Sequence, residues 1–259
     1  IKKCRKYLDD KLSENEDPIY GINTGFGYLQ HVKIEAENLS QLQHNLLLSH
    51  ACGTGQEVPK EIVKLMILLK IESLSYGHSA IALSTVERLI EFYNLDILPI
   101  IYTQGSLGAS GDLAPLAHLA LPLIGKGEVW YQNQKISSAQ LCQKLNWQPL
   151  TLQSKEGLAL INGTQFMSAY GVSCLIKSEH LNKAADTIAC VSLEAFDGRL
   201  DPFKNHLHTI RPHNGQLQTA EFVRELLQGS SLIERKKVVI KKHKPLINNR
   251  IKASNNKKK

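Results

Sequence analysis

One stretch constrains this chain more than any other. Residues 105–118 have the sequence Gly-Ser-Leu-Gly-Ala-Ser-Gly-Asp-Leu-Ala-Pro-Leu-Ala-His, a loop whose glycines permit the unusual φ values of a tight turn before an apolar helix. In such a loop the unhindered nitrogen of Gly111 can attack the carbonyl carbon of Ala109. If two waters then leave, one of them taking the Ser110 hydroxyl, the product is a five-membered ring with an exocyclic methylene. That ring is an electrophile which no ordinary side chain provides.

A glycine-rich turn before a helix also occurs in two more common settings. An isolated Ala-Ser-Gly triplet is typical of a flexible connector, and a phosphate-binding loop also joins glycines to a helix N-terminus. No Gly-Lys-Ser/Thr follows the glycines here, which sets the phosphate loop aside. From the triplet alone the connector remains the more common interpretation.

This run resembles, position by position, the signature of the aromatic amino acid ammonia-lyases. In that family the triplet forms a 4-methylidene-imidazol-5-one group autocatalytically, so the resemblance implies that Ala109, Ser110 and Gly111 form this prosthetic group here. It also implies a mainly α, ammonia-lyase-like helical fold with a small β-hairpin, and neither a metal nor a diffusible cofactor. The motifs that carry the resemblance lie within residues 18–231.

A second match is the loop 20–27, with the sequence Tyr-Gly-Ile-Asn-Thr-Gly-Phe-Gly, which resembles the catalytic-tyrosine loop of these lyases. Removal of ammonia from an α-amino acid requires loss of a weakly acidic β-proton, so the reaction needs a strong base. The resemblance gives this role to Tyr20 as a phenolate, and a phenol has an ordinary pKa of about 10, so its surroundings must deprotonate it. Without the other motifs, a core tyrosine that donates one hydrogen bond is an equally good interpretation.

A third match is the segment 155–165, which resembles the part of the family whose asparagine contacts the prosthetic ring. It offers Asn162 and Gln165, and an amide that donates to the ring's carbonyl oxygen stabilises the negative charge that develops there. Alone, the Asn-Gly-Thr sequence favours a turn or a helix cap.

The segment 45–53 indicates the substrate. Phenylalanine lyases have Phe-Leu and tyrosine lyases have His-Leu where this chain has Ser49 and His50, the histidine-type pair. An imidazole at His50 can hydrogen-bond the substrate imidazole, and a phenyl ring in its place would leave that polar group unpaired. Outside the family context, a histidine on an apolar helix face is more often a core residue with its hydrogen bonds satisfied.

Composition supports a globular protein. With 259 residues and 42% hydrophobic content the chain can bury a sizeable core. No apolar run is long enough to span a membrane, and the first residues do not have the pattern of a signal peptide, so we expect a cytoplasmic location. The five cysteines are an odd number without Cys-x-x-Cys spacing, which favours reduced thiols over disulfides or a zinc site.

The net charge of +7 comes from the end of the chain. Residues 235–259 contain 11 of the 31 Lys/Arg and no acid, which leaves 20 basic against 24 acidic residues before them. Because the tail lacks aromatics and any recognisable motif, we expect neither a nucleic-acid nor a membrane partner. We predict a loop-bearing part at 1–231 and a basic low-complexity tail at 232–259 that is disordered or arises from a frameshift near Ser231.

Helices dominate the predicted elements. Leucines at helical spacing predict a helix from Leu39, Pro59 begins a second that ends near Gly77, and Ser84 begins a capping box for a third. Residues 128–136 predict a β-hairpin about Gln132-Asn133. Further helices are predicted at 162–188 and 215–227. No internal repeat and no interdomain linker is evident.

Several family features are missing or altered. Ala82 stands where the family commonly has an arginine, and a Gln-Asp-x-Tyr-Ser-x-Arg motif, whose arginine binds the substrate carboxylate, is not in the chain. The long helices that build the family's homotetramer core are also not in it, so we expect a fragment. Residues 192–216 resemble a structural region and carry no predicted catalytic residue.

The resemblance implies the first step of histidine degradation, in which L-histidine loses ammonia and gives trans-urocanate. One alternative keeps the prosthetic group but acts on tyrosine or phenylalanine, as an ammonia-lyase or an aminomutase. The other alternative is an inactive remnant, because family active sites take residues from three subunits.

Overall fold

A computed structural model describes residues 1–14 and 17–233 of the chain. The chain divides into two compact units, Ile1–Cys174 and a second unit that begins at Leu175. The predicted boundary at 231 stays a prediction, and most of the predicted tail, 234–259, lies outside the described residues.

The first unit is mainly helical, as predicted. Its helices, with the long one that crosses the unit boundary, are α1 Lys2–Glu14, α2 Leu39–His50, α3 Lys60–Ser75, α4 Leu83–Asn94, α5 Leu113–Ala120, α6 Ser138–Leu145, α7 Glu156–Ile161 and α8 Gln165–Ala195. Three short 3-10 helices accompany them, at Gly27–Leu29, Ala36–Asn38 and Leu121–Ile124. The helices predicted from Leu39 and after Pro59 are confirmed.

Five short strands lie between these helices: β1 Thr54–Glu57, β2 Leu98–Pro99, β3 Tyr102–Gln104, β4 Glu128–Tyr131 and β5 Gln134–Ser137. Strand β1 pairs with β3, and β4 lies between β2 and β5, with every pair antiparallel. The predicted hairpin is the β4–β5 pair. Its two turn residues, Gln132 and Asn133, have φ values of 49° and 62°, the left-handed pair that a two-residue hairpin turn requires.

The core of the first unit surrounds α3, α4 and α5. Met66 and Ile67 of α3, Leu89 of α4, and Leu116 and Leu119 of α5 are all fully buried there. Helix α5 contains the last residues of the glycine-rich run, so this packing fixes the C-terminal end of the loop before it in the interior.

Two sequence-based predictions about helix starts were wrong. Helix α4 begins at Leu83, and no capping box forms at Ser84, because the carboxylate of Glu156 accepts from Ala82 N at 3.0 Å and from Thr85 Oγ1 at 2.7 Å. The helix predicted at 162–188 begins at Gln165 and reaches Ala195. Asn162, at ψ 135°, is extended and ends α7.

The second unit contains the rest of α8, a 3-10 helix at Asp201–Phe203, α9 Asn205–His208 and α10 Asn214–Leu226. Helix α10 confirms the helix predicted at 215–227. Cys190, Val223 and Leu227 form a small buried cluster. Across the described part of the chain, no helix combines the length and the apolar character that a membrane span needs.

Lys70 is an unusual member of the core. Its side chain is 1% exposed, and its Nζ donates to the carbonyl oxygen of Asn162 at 2.8 Å. Desolvation disfavours the charged ammonium, and burial lowers the pKa of Lys70 to about 7.

This burial predicts a pH-dependent stability. Above pH 7 the folded chain releases the Lys70 proton while the unfolded chain keeps it, so the Lys70 contribution to the free energy of unfolding should rise by about 2 kcal/mol from pH 7 to pH 9. Urea unfolding at both pH values should show a smaller rise in Lys70→Met than in the wild type. The control is Lys64→Met on the same helix, because Lys64 is partly exposed and its pKa is raised by Asp96. Equal pH slopes for both variants would contradict the assignment.

Candidate active site

The first part of the glycine-rich run, residues 105–112, forms a loop between β3 and α5. We call these residues the reactive loop. Its three glycines, Gly105, Gly108 and Gly111, have φ values of 140°, 76° and 98°. These are conformations that residues with a Cβ rarely adopt. The loop therefore needs glycine at each position, while Ala109 and Ser110 between them are exposed.

The C-terminal end of the reactive loop lies against the third motif. A Cβ at Gly111 would overlap the carbonyl oxygen of Gly163, and the same oxygen accepts from Asp112 N at 2.8 Å. Gly111 and Gly163 form an isolated parallel bridge. This contact joins Gly111, the last residue of the triplet, to the residue that follows Asn162. Because the N–H of Asp112 makes the hydrogen bond, the contact does not occupy the nitrogen of Gly111.

Asp112 fixes this arrangement, although the sequence did not single it out. Its side chain is buried, and its two carboxylate oxygens accept from Ser106 Oγ at 3.0 Å and from Met167 N at 2.9 Å. One carboxylate thus joins the start of the reactive loop to the first turn of α8. An aspartate directly before a helix normally indicates a helix cap, which hid this longer-range role.

The amides of the third motif have different environments. Asn162 is exposed, and its backbone carbonyl is held by Lys70. Gln165 is 8% exposed, and within the described residues its Oε1 is buried without a hydrogen-bond partner. Gly163 separates Asn162 from the Thr164-Gln165 pair and has a φ of 136°. The position favours glycine, because a Cβ there would overlap the Gln165 amide. The exposed Asn162 amide can donate to a bound group, and Gln165 Oε1 can still accept a hydrogen bond.

The Tyr20 loop is attached to the helix that leads to Asn162. Gly21 has φ 74°, and a Cβ there would lie 2.6 Å from Leu158 Cδ2 of α7. Ser154 Oγ donates to Ile22 O at 2.6 Å. Tyr20 itself is 57% exposed. The loop's backbone is thus anchored while its tyrosine ring faces solvent.

Ser49 and His50 end α2. Ser49 Oγ donates to Leu46 O at 3.1 Å, and His50 Nδ1 lies 2.9 Å from the same oxygen. Ser49 Oγ also lies 3.1 Å from Nδ1. Since a carbonyl oxygen only accepts, the 2.9 Å contact with Leu46 O requires the proton on Nδ1, and in that tautomer Nε2 is an acceptor. Within the described residues, no hydrogen bond joins His50 or the Tyr20 hydroxyl to the reactive loop.

A second histidine, His118 of α5, was not predicted as a site residue. Its Nε2 accepts from Gly53 N at 3.0 Å, and its ring meets Tyr102 edge-on with centroids 5.3 Å apart. Burial lowers the pKa of His118 below its ordinary value, which favours the neutral ring that can accept. His118 ends the glycine-rich run, but nothing in that run marks it as a site residue. Its role is visible only in the hydrogen bond to Gly53, 65 residues away.

A cleft of about 430 Å³ opens next to Asn162. Lys70, Lys155 and Leu158 are among the residues that line it.

No group of three or more His, Cys, Asp or Glu side chains in residues 1–14 and 17–233 is placed to hold a metal ion.

Comparison with known proteins gives a consistent family. The family model described as aromatic amino acid lyase matches residues 1–249, further at both ends than the motif-bearing region 18–231. Histidine ammonia-lyase 2 of Fusobacterium nucleatum is 46% identical over 230 residues, which are 89% of this chain and 45% of that protein. Histidine ammonia-lyase of Shouchella clausii is 48% identical over 232 residues, which are 90% of this chain and 46% of that protein. This chain thus spans about half the length of the curated relatives it matches.

Solved structures of ammonia-lyases and aminomutases have a similar fold. Phenylalanine aminomutase of Pantoea agglomerans superposes with a TM-score of 0.84 at 36% identity, covering 93% of this chain and 47% of that one. Histidine ammonia-lyase of Trypanosoma cruzi gives a TM-score of 0.80 at 34% identity, covering 86% of this chain and 44% of that one. Because the family match extends over nearly the whole chain and the helical fold is shared, the chain belongs to the aromatic amino acid lyase family.

Proposed function

We propose that this chain is the loop-bearing part of a histidine ammonia-lyase, which removes ammonia from L-histidine and gives trans-urocanate, the first step of histidine degradation. The observation that carries the proposal is the close approach of Gly111, the last residue of the triplet, to Gly163, which directly follows Asn162. The identity of 45–48% to proteins named histidine ammonia-lyase supports this substrate over the others.

The reactive loop fits the prosthetic group expected of this family. Only glycine is accommodated at Gly111, and the bridge to Gly163 leaves its nitrogen available to bond the Ala109 carbonyl carbon. Ser110 is exposed, so its hydroxyl can leave as water. When formed, a 4-methylidene-imidazol-5-one supplies an electrophilic methylene to the substrate amine.

Protein side chains supply the remaining chemistry. Tyr20 is the proposed base for the β-proton, and its exposure in this chain means that other parts of the active site must surround it. Asn162 is the proposed donor to the ring carbonyl oxygen, with its main chain fixed by Lys70. Gln165 is proposed to bind substrate through its unpartnered oxygen.

Substrate choice is assigned to Ser49 and His50. Because His50 Nδ1 donates within α2, its Nε2 can accept the N–H of a substrate imidazole. A phenyl ring offers no such donor, and an acceptor left unpaired in the bound complex penalises the wrong substrate.

The proposed function also includes association of several copies of the protein. Helix α8 exposes Leu181, Ile188 and Val191 on the second unit, and exposed apolar residues of this kind favour association with further helices. We propose a cytoplasmic homotetramer that takes a small amino acid as its substrate, without nucleic-acid or membrane partners and without a metal.

A second candidate function keeps the loop but changes the product. Phenylalanine and tyrosine aminomutases are among the structures that superpose, at 34–36% identity. The Trypanosoma cruzi histidine ammonia-lyase structure is no more similar, at 34%, so the preference for histidine deamination rests on the curated relatives at 45–48% and on the histidine-type pair at 49–50. An inactive remnant is the remaining alternative, since the chain spans about half its relatives' length.

The prosthetic group is tested with Ser110→Ala in a chimera that joins residues 1–231 of this chain to the remaining half of the Shouchella clausii enzyme. The parent chimera should lack the mass of two waters in the peptide that carries the reactive loop. The variant should keep those waters and lose at least about 10³-fold in turnover, because its main electrophile is missing. Ser75→Ala, at the exposed end of α3, is the matched control. A Ser110→Ala chimera with full turnover would refute the assignment.

Substrate choice is tested in the same chimera with His50→Leu. We expect kcat/KM for L-histidine to fall by about 10²-fold or more, since the acceptor for the imidazole N–H is removed. Gln41→Ala, at an exposed position of the same helix, is the control and should change it less than tenfold. Assays with L-tyrosine and L-phenylalanine identify the products of the alternatives. Unchanged discrimination in His50→Leu would place the specificity elsewhere.

A further inference from the structure

We propose that His118 is a positioning residue that fixes the His50 turn, residues 50–53, against the reactive loop. The functional meaning of this contact rests on the proposed function, because the His50 turn carries the proposed substrate contact. The contact itself does not depend on that function.

The chain leaves α2 through a tight turn. Cys52 N donates to His50 O at 2.9 Å, and Ala51 between them has φ −78° and ψ 59°, the values of an inverse γ-turn. The next amide, Gly53 N, donates to His118 Nε2 at 3.0 Å. The imidazole therefore holds the turn three residues after His50.

The opposite side of the turn meets the start of the reactive loop. A Cβ at Gly105 would lie 3.0 Å from Gly53 Cα and 3.3 Å from Ala114 Cβ. Directly beyond Gly53, Thr54 of β1 pairs with Gln104 of β3, the residue that precedes the loop. The His50 turn thus lies between the entrance to the reactive loop and the helix that leaves it.

His118 is itself held in one orientation. Helix α5 provides its backbone, and the edge-on ring of Tyr102 packs against its side chain. Since Nε2 accepts from a backbone N–H, the proton of the neutral ring is on Nδ1. A single side chain therefore links α5, β3 and the His50 turn, and its displacement would move the substrate contact relative to the triplet Ala109-Ser110-Gly111.

Two substitutions separate the hydrogen bond from packing. His118→Phe keeps an aromatic ring against Tyr102 but removes the acceptor for Gly53 N–H. His118→Gln removes the ring but places an amide oxygen at a reach similar to that of Nε2. A purely structural role for the ring predicts that the phenylalanine variant behaves as the wild type.

The experiment measures hydrogen–deuterium exchange in the full 259-residue chain and both variants, with peptides that cover 50–54 and 104–112. We expect His118→Phe to speed exchange in both segments by roughly tenfold, because one backbone hydrogen bond is lost and the turn loosens. His118→Gln should restore most of the protection. Unchanged exchange in His118→Phe, or equal loss in both variants, would overturn the proposal.

A second measurement needs no variant. In the wild-type chain with ¹⁵N-labelled histidine, the His118 ring should be neutral, with a protonated Nδ1 and an Nε2 that accepts a hydrogen bond. A proton on Nε2 at neutral pH would overturn the proposal even if the variants do not fold. Both readouts are independent of lyase activity, so failure of the proposed function would leave them intact.

Discussion

The site depends on two backbones that approach too closely for any side chain between them. Gly111 meets the carbonyl of Gly163, and Asp112 N closes the contact with a hydrogen bond to the same oxygen. This approach joins the end of the reactive loop, whose Ala109 and Ser110 are exposed, to the residue that follows Asn162. A methyl group at either glycine would collide with backbone or with Gln165, so the geometry exists only because both residues lack a Cβ.

Polar side chains that are buried or half-buried hold the surrounding segments to this contact. Asp112 joins the reactive loop to α8, Lys70 holds the carbonyl of Asn162, and His118 holds the turn after His50. Each is a polar group that would be costly to bury alone, and each makes a hydrogen bond to backbone far away in sequence. The main-chain positions of the site are thus set from the core, while the reacting side chains remain exposed on the surface of this chain.

The local parts of this arrangement could be predicted from sequence, because their causes are local. Glycines marked the reactive loop, leucine spacing marked α2, and Gln132-Asn133 marked the hairpin turn. The start of α4 was mispredicted because its cap is the carboxylate of Glu156, about seventy residues away. The roles of Asp112 and His118 were missed for the same reason: a single sequence does not reveal which distant backbone group a buried side chain will bind.

The most direct test compares two glycine-to-alanine substitutions in the chimera: Gly163→Ala at the close approach, and Gly171→Ala in α8, where a Cβ would meet no atom within 4 Å. The measurement is the fraction of the reactive-loop peptide that has lost two waters. We expect this fraction to fall severalfold in Gly163→Ala, because alanine disfavours the φ of 136° and its Cβ would overlap the Gln165 amide, and to be unchanged in Gly171→Ala. Full water loss in Gly163→Ala would contradict this, since ring formation would then not need the glycine backbone conformation that sets the Gly163 carbonyl against Gly111.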